Sequence, residues 1–200
     1  MIEIFQILLF YLIFSFSLFV PINIFKPQKF LNTNNYFENA TFNLGITISI
    51  LLIISYLNIS LTNIQKYIVL IYFLLFLYLY FKNFKTFLKF YFNLIPIFIV
   101  FFVISISVAN NLKLGWDAKS FYYINSLFFF ENKTLYNFNE FHGHHYHPYL
   151  GSYLWAFFRN LSFLENEYFG RLFYVFIFSS SIYYICQIPN NKKISFAYLI

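Results

Sequence analysis

The run IFQILLFYLIFSFSLFVPINIF, residues 4–25, decides the fold class, because it contains no charged residue over 22 positions. A membrane-spanning helix needs about 20 consecutive, mostly apolar residues, since no water in the bilayer can satisfy a bare backbone. The run is too long, and too poor in flanking basic residues, for a cleaved signal peptide. We therefore predict that residues 4–25 form the first span of a membrane protein.

The rest of the chain has the same character. Its 200 residues are 60% hydrophobic and 10% charged, with 33 Phe and 19 Tyr. An ordinary soluble domain is about 45–50% apolar and about 25% charged. This composition excludes a soluble globular domain, and it excludes disorder, which needs low hydrophobicity. The single cysteine, Cys186, excludes an intrachain disulfide framework and a Cys-based metal site.

Further apolar runs predict four more spans, at residues 42–61, 67–81, 90–108 and 172–188. Pro96 is expected to kink the fourth span. A sixth run begins near Ile194 and reaches the last residue, Ile200, so we expect the chain to be the N-terminal part of a longer protein. The predicted fold is all-α, a polytopic transmembrane protein with five complete spans and the start of a sixth.

Lysines between the runs predict the orientation, because cytoplasmic loops carry an excess of Lys and Arg. The loops after the first, third and fifth spans are basic, whereas the loop between the second and third carries only Lys66. We expect the three basic loops in the cytoplasm of a cell with an inner membrane. The N-terminus and residues 111–167 are then expected on the non-cytoplasmic side.

The predicted organisation has three parts: four spans in residues 1–110, an external loop in 111–167, and the fifth span with the start of the sixth in 168–200. The external loop holds five of the seven acidic residues, all four His and both Trp. Residues 118–130 predict one helix with an apolar face. A second is predicted by helical spacing of apolar residues, with small and polar residues opposite. We expect both helices to be amphipathic and to lie along the membrane surface. The first apolar face consists of Phe121, Ile124 and Phe128, with Lys119 and Asn125 on the polar side. The second consists of Leu150, Leu154, Phe157, Phe158 and Leu161, opposite Gly151, Ser152, Arg159 and Asn160.

Asp117 is the candidate catalytic residue, because it follows the fourth span directly, next to the interface anchor Trp116. Its carboxylate would face lipid phosphates. An N-cap for a helix starting at Ala118 is a second interpretation, compatible with the first.

Other polar groups in the loop have alternative interpretations. The His-rich stretch at residues 142–147 either supplies imidazole ligands to a divalent metal or is a polar interfacial loop, and we expect no metal site. Arg159 and Arg171 either bind phosphate or extend along apolar surface towards water.

Two motifs in the loop carry a family resemblance. GWDAKSFY at residues 115–122 and HPYLGSY at residues 147–153 resemble the first large external loop of the GT-C membrane glycosyltransferases, notably dolichyl-phosphate-mannose mannosyltransferase-like and lipid A sugar transferase-like members. In that family an Asp follows a span, and a His-Pro motif opens the second of two surface helices. The chain departs from the pattern at Ala118, at Tyr149 and in its three additional spans.

The resemblance implies inverting transfer of a sugar from a polyprenyl-phosphate donor on the non-cytoplasmic side. It implies that Asp117 is the catalytic carboxylate, and His147 matches the second family motif. Together with Arg159 and Arg171, which are phosphate-binding candidates because of their charge, His147 makes up the expected substrate-binding set. The expected partners are the bilayer and the lipid-linked donor; neither nucleic acid nor a cofactor is expected.

The alternative class is a non-enzymatic membrane protein such as a transporter, flippase or polysaccharide-export or polymerase component. Transport pathways commonly place ionisable residues inside spans. Between their end residues the five predicted spans contain no Asp, Glu, Lys, Arg or His, which favours the enzyme.

Overall fold

The computed structural model describes residues 2–25, 36–82, 84–111, 113–131, 133–140, 149–162 and 166–187. Within these ranges the chain is helical and has no strand, which confirms the all-α prediction. A π-helical segment, Ala118–Tyr122, directly precedes the fifth α-helix, and a 3-10 helix, Leu135–Glu140, follows it. The α-helices are α1 (Ile2–Phe25), α2 (Tyr36–Tyr56), α3 (Leu61–Lys82), α4 (Phe84–Asn110), α5 (Tyr123–Phe130), α6 (Leu150–Arg159) and α7 (Glu167–Gln187).

Each of the five predicted spans corresponds to one helix: α1 to α4 and α7. Two of these, in the part of the chain that the structure describes, are long and apolar enough to cross a membrane: Leu61–Lys82 and Glu167–Cys186. The other three contain shorter apolar stretches, Ile2–Phe14, Thr41–Tyr56 and Leu94–Asn110. The prediction is thus confirmed for the helices, and two of them meet the requirements of a span. The sixth predicted run, from Ile194, lies outside the described residues.

Several helix ends lie on one face of the bundle and are joined there by hydrogen bonds. Near the start of α1, the Gln6 side-chain oxygen accepts hydrogen bonds from Asn166 Nδ2, at 3.1 Å, and from the Tyr168 hydroxyl at the start of α7. At the end of α2, Ser55 Oγ accepts a hydrogen bond from the Leu135 backbone N–H at 2.9 Å. We call this the loop face, since the described part of residues 111–167 docks on it. The start of α1, the end of α2 and the long loop therefore lie on one face, which is the relative arrangement that the predicted topology requires.

The turn between α2 and α3 is shaped to receive that loop. Asn58 in this turn has φ of +59°, a left-handed conformation that Asn tolerates better than most residues. Its side-chain oxygen lies 2.7 Å from the Thr134 hydroxyl, just before the 3-10 helix. The turn and the long loop are therefore held together by side-chain contacts as well as by Ser55.

The bundle buries several polar side chains besides its apolar core and exposes many large apolar ones. In α3, Gln65 is 1% exposed, whereas Leu70 and Ile71 are 52% and 53% exposed. In α4, Ser105 is fully buried while Val103 points outwards. A surface helix in water hides its apolar stripe and exposes its polar residues. The outer surface of these helices therefore matches an apolar solvent.

Aromatic rings fill the centre of the bundle. Phe10 of α1 lies 5.8 Å from Phe101 of α4 and 5.0 Å from Phe158 of α6, measured between ring centroids. Phe14 lies 4.5 Å from Phe176 of α7. These separations are those of favourable aromatic pairs. The rings join α1, α4, α6 and α7 into one core beneath the loop face.

The position of α6 corrects the prediction of a surface helix. Tyr149 lies beside Tyr56 at the end of α2, with 3.4 Å between the hydroxyl oxygens, and the Tyr153 hydroxyl donates to the Leu51 carbonyl at 3.0 Å. Residues 152–158 are all buried, including Ser152 on the predicted polar side. Small side chains on that side, such as Gly151 beside Tyr174, let neighbouring helices approach, so α6 packs within the bundle instead of lying on its surface.

The first loop helix is also confirmed, but its predicted face is only partly correct. Phe128 is buried as expected, whereas Ile124 is 38% exposed and Asn125, expected on the polar side, is fully buried. Where the surrounding medium is apolar, an exposed Ile costs little and a polar side chain gains by facing protein. The sequence pattern therefore identifies the helix better than its inward face.

Candidate functional site

Asp117 lies at the start of the helical segment that follows α4. Helix begins at Trp116, and the Lys119 N–H donates to the Gly115 carbonyl at 2.9 Å. Asp117 has helical backbone angles (φ −61°, ψ −44°), and its side chain is exposed and makes no capping hydrogen bond. The capping interpretation is therefore wrong, because helix begins at Trp116, two residues before Ala118, and the Asp117 carboxylate makes no capping hydrogen bond.

The turn after Asp117 is unusual in having π-helical geometry over Ala118–Tyr122. Single π turns within α-helices occur frequently at functional sites, because they disturb the regular ladder locally. The edge of the Trp116 ring packs against Phe121 at 5.4 Å between centroids. Asp117 thus directly precedes a local irregularity of the helix, and the Trp116–Phe121 contact spans the turn in which it lies.

A cavity of about 660 Å³ lies beside this segment on the loop face. We call it the basic cavity, because Lys113 and Arg171 are among its lining residues. Gly115 and Ala118, near neighbours of Asp117 in sequence, also line it, whereas Asp117 itself does not. The remaining walls come from the end of α4, from α6 and from α7, and they are apolar or aromatic: Val108, Leu114, Tyr122, Gly151, Trp155, Tyr174 and Val175.

Arg171 reaches this cavity as one half of an ion pair. Its NH2 nitrogen lies 2.9 Å from Glu167 Oε2, one helical turn earlier in α7, and both side chains are largely shielded from solvent. An i, i+4 pair in a helix holds both groups on one side. The pair therefore fixes the guanidinium at the wall of the basic cavity.

Arg159, at the end of α6, occupies a different place. Its guanidinium carbon lies 4.1 Å from the centroid of the Phe130 ring and 5.8 Å from that of Tyr123, within the range of cation–π contacts. Its charge also acts on Glu167. Arg159 thus packs on α5 close to the Glu167–Arg171 pair but does not line the basic cavity.

The Tyr153 side chain is fully buried where α6 packs on α2. Burial raises the pKa of its hydroxyl to about 12, while a hydrogen bond with Ser55 acts in the opposite direction. The phenol is therefore neutral at physiological pH, as its hydrogen bond to the Leu51 carbonyl requires.

The remaining expected ligands cannot be placed. His147 and the rest of the His-rich stretch lie outside the described residues. Within the described ranges, no three His, Cys, Asp or Glu side chains gather closely enough to hold a metal ion. The metal interpretation of the His-rich stretch stays as the sequence left it.

Sequence reasoning missed Lys113 and Glu167 as members of this region. The helical spacing of Glu167 and Arg171 could have suggested the ion pair. Lys113 carries no such signal, because its position follows from the way the chain leaves α4, where its N–H donates to the Asn111 side chain at 3.3 Å.

Comparisons with protein-family models, with curated proteins and with solved structures give no match for this chain.

Proposed function

We propose that this chain is an integral membrane protein in which α1, α2, α3, α4 and α7 each cross the inner membrane and a sixth span begins near Ile194. The burial pattern of the helices supports this proposal, since polar residues such as Gln65 and Ser105 face inwards and many large apolar ones face out. The loop face then lies on the non-cytoplasmic side, opposite the basic loops.

On that face, the proposed activity is transfer of a sugar from a polyprenyl-phosphate donor to an acceptor hydroxyl. The observation that carries this proposal is the basic cavity beside Asp117. Its cations, Lys113 and Arg171, suit a phosphate, and its apolar walls suit the start of a lipid chain. A carboxylate next to such a cavity would be available for attack on the anomeric carbon of a bound donor.

In the proposed mechanism Asp117 is the general base. Its carboxylate takes the proton of the acceptor hydroxyl while the acceptor oxygen bonds to the anomeric carbon. The bond from that carbon to the phosphate oxygen breaks, and the polyprenyl phosphate leaves with the electron pair, which inverts the configuration. A positioned general base contributes roughly 10²–10⁴-fold. The exposure of Asp117 leaves the carboxylate accessible to an acceptor.

The other predicted substrate-binding residues fit this scheme unequally. Arg171 lines the cavity and is assigned to the donor phosphate. Arg159 stands behind the Glu167–Arg171 pair and would act by electrostatics and packing. The role of His147 stays a prediction from the resemblance.

Replacing Asp117 by Asn tests the catalytic assignment. The carboxylate makes no capping hydrogen bond, so Asp117→Asn should leave folding and abundance unchanged. Transfer from a polyprenyl-phosphate sugar in membranes should fall by at least about 10²-fold, the low end for a lost general base. Glu131→Gln, an exposed carboxylate at the end of α5, is the matched control and should keep full activity. Full activity in Asp117→Asn would refute the assignment.

Replacing Lys113 tests the donor site separately. Lys113→Ala should weaken binding of polyprenyl phosphate to the purified protein by about three- to tenfold, the effect of losing one partly solvated charge contact. Lys133→Ala removes an exposed lysine that does not line the cavity and should leave binding unchanged. Equal affinities for the two variants would argue against the basic cavity as the phosphate site.

The distribution of charge favours an enzyme over an ion-coupled transporter. In α7 the ionised pair lies in the first two turns, at the loop face, and the lysines of α3 and α4 lie near the helix ends. A transport pathway would place such groups deeper in the bundle.

A further inference from the structure

A second cavity, of about 430 Å³, lies on the loop face beside the basic cavity. Leu114 lines both cavities, so one loop residue forms part of the wall between them. The second cavity is formed by the start of α1, the end of α4, the start of α5 and the start of α7. We call it the acidic cavity, because Glu3 and Glu167 line it and its described lining contains no Lys or Arg.

The two cavities differ in charge, and the Glu167–Arg171 pair divides them. Glu167 lines the acidic cavity and Arg171 the basic one, with 2.9 Å between the paired atoms. An anion would be repelled from the acidic cavity. A cation would gain little there, because Glu3 is exposed to solvent, Arg171 already compensates Glu167, and Arg159 acts on the same Glu167 carboxylate. The charges therefore favour a neutral ligand.

Hydrogen-bonding capacity narrows the ligand further. Carboxylates such as those of Glu3 and Glu167 accept hydrogen bonds and donate none when ionised. The Tyr168 hydroxyl and one of the two Asn166 amide N–H groups already donate to Gln6, so the lining offers more hydrogen-bond acceptors than donors. A ligand that fits must bring several donors of its own. Aromatic rings in the lining add apolar surface for its carbon skeleton.

We propose that the acidic cavity binds a neutral, polyhydroxylated molecule, a sugar ring. Vicinal hydroxyls supply donors for the carboxylate and amide oxygens of the lining, and ring C–H groups suit the tyrosine rings. The cavity volume is in the range of small-molecule sites. That this sugar is the acceptor of the transfer rests on the proposed function; the binding itself does not.

Two consecutive residues at the end of α4 offer matched variants. Val108 lines the basic cavity, whereas Ala109 lines the acidic one. Ala109→Phe should fill the acidic cavity and leave the basic cavity open. Val108→Phe should do the reverse with the same new side chain, one position away.

The test measures saturation-transfer NMR from the full chain in nanodiscs to glucose, galactose, mannose and N-acetylglucosamine. The parent and Val108→Phe should bind at least one of these sugars. Ala109→Phe should bind it at least about tenfold more weakly, the loss expected when several hydrogen bonds are blocked. Binding of none of the four sugars by the parent, or undiminished binding by Ala109→Phe, would overturn the proposal.

Milder variants decide the matter if Ala109→Phe does not fold. Tyr123→Phe and Asn166→Ala remove single polar groups from the lining, and each should weaken sugar binding by about fivefold. Unchanged affinity in both would also overturn the proposal. Binding of polyprenyl phosphate is measured on the same samples: a parent that binds sugar but not this lipid keeps the inference and refutes the transferase, and the opposite result refutes the inference alone.

Discussion

A single absent side chain sets how closely α7 approaches α6. A Cβ atom built on Gly170 would lie 2.3 Å from Cδ1 of Trp155 and 2.4 Å from its carbonyl oxygen. The ring could turn away, but the carbonyl belongs to the backbone of α6 and cannot move alone. Gly170 is therefore required by packing, and the Trp155 ring can stand at the edge of the basic cavity only because of it.

Gly170→Ala should destabilise the protein by about 1–3 kcal/mol, the usual cost of overpacking. Gly45→Ala is the matched control, because Gly45 lies inside α2 with open space around its Cα. It should stabilise slightly, since Ala favours helix over Gly by up to about 1 kcal/mol. Thermal unfolding of the two proteins in detergent, followed by circular dichroism, gives the comparison. A Gly170→Ala midpoint equal to that of the parent would contradict the close approach.

At the level of residues, sequence reasoning found the groups that stand in a motif and missed those that meet through folding. Asp117 was selected for its place after a span, and the structure leaves its carboxylate exposed beside a cavity. Lys113 and Glu167 belong to that region because the end of α4 and the start of α7 lie on the same face. Asn125 was expected outside and is buried, because polarity alone does not determine which side of a helix faces the rest of the protein.

Among the elements, α6 contributes most to the site and was the least predictable. The predicted helical spacing of α6 was correct. Spacing shows only that one side of a helix is apolar, and it does not show whether the small, polar side faces water or other helices. The Tyr153 hydrogen bond to Leu51 and the Tyr149–Tyr56 contact tie α6 to α2. α6 thereby forms one wall of the basic cavity and contributes Phe158 to the aromatic core.

Tyr153→Phe tests this docking. It should cost about 0.5–1.5 kcal/mol, the net value of one hydrogen bond. The folded-state pKa of Tyr153, about 12, is above the ordinary value of 10. The contribution of the neutral phenol is therefore fully present below pH 10 and lost as the pH rises towards 12.

The difference in stability between the parent and Tyr153→Phe should accordingly shrink between pH 9 and pH 12, as followed by chemical unfolding at several pH values. Tyr136→Phe, at an exposed position in the 3-10 helix, should match the parent at neutral pH. A Tyr153→Phe protein as stable as the parent at pH 8 would show that the hydroxyl does not anchor α6.

Helix limits were predicted less well than helix existence. α7 begins at Glu167, five residues before the predicted run at 172, and so includes the ion pair. α2 begins earlier than predicted and ends at Tyr56, where the turn containing Asn58 starts. Hydropathy registers the part of a helix that suits lipid, whereas its polar ends are fixed by contacts at the loop face.

For the whole molecule, two features agree with the proposed membrane arrangement: the exposure of apolar side chains, and the position of several helix ends on the loop face. Apolar side chains cover the outside of the helices, and polar ones such as Gln65 and Ser105 turn inwards. Three helix ends meet the long loop on one face through Gln6, Ser55 and Asn58. Both cavities open from that face, so in the proposed membrane arrangement the side on which it lies would determine which substrates can reach them.

Cysteine labelling tests the sidedness directly. Cys186 is buried and is first replaced by Ser to remove background. New cysteines are then placed at Leu57 in the α2–α3 turn, at Lys133 in the long loop and at Lys85 at the start of α4, which are all exposed positions. Because Leu57 and Lys133 lie near the Asn58–Thr134 contact, both should react with a membrane-impermeant maleimide in intact cells. Lys85→Cys should react only after permeabilisation.

The opposite result at all three positions would reverse the orientation and move the proposed site to the cytoplasm. Different behaviour of the Leu57 and Lys133 variants would contradict the loop face itself, since one face cannot lie on two sides of a membrane.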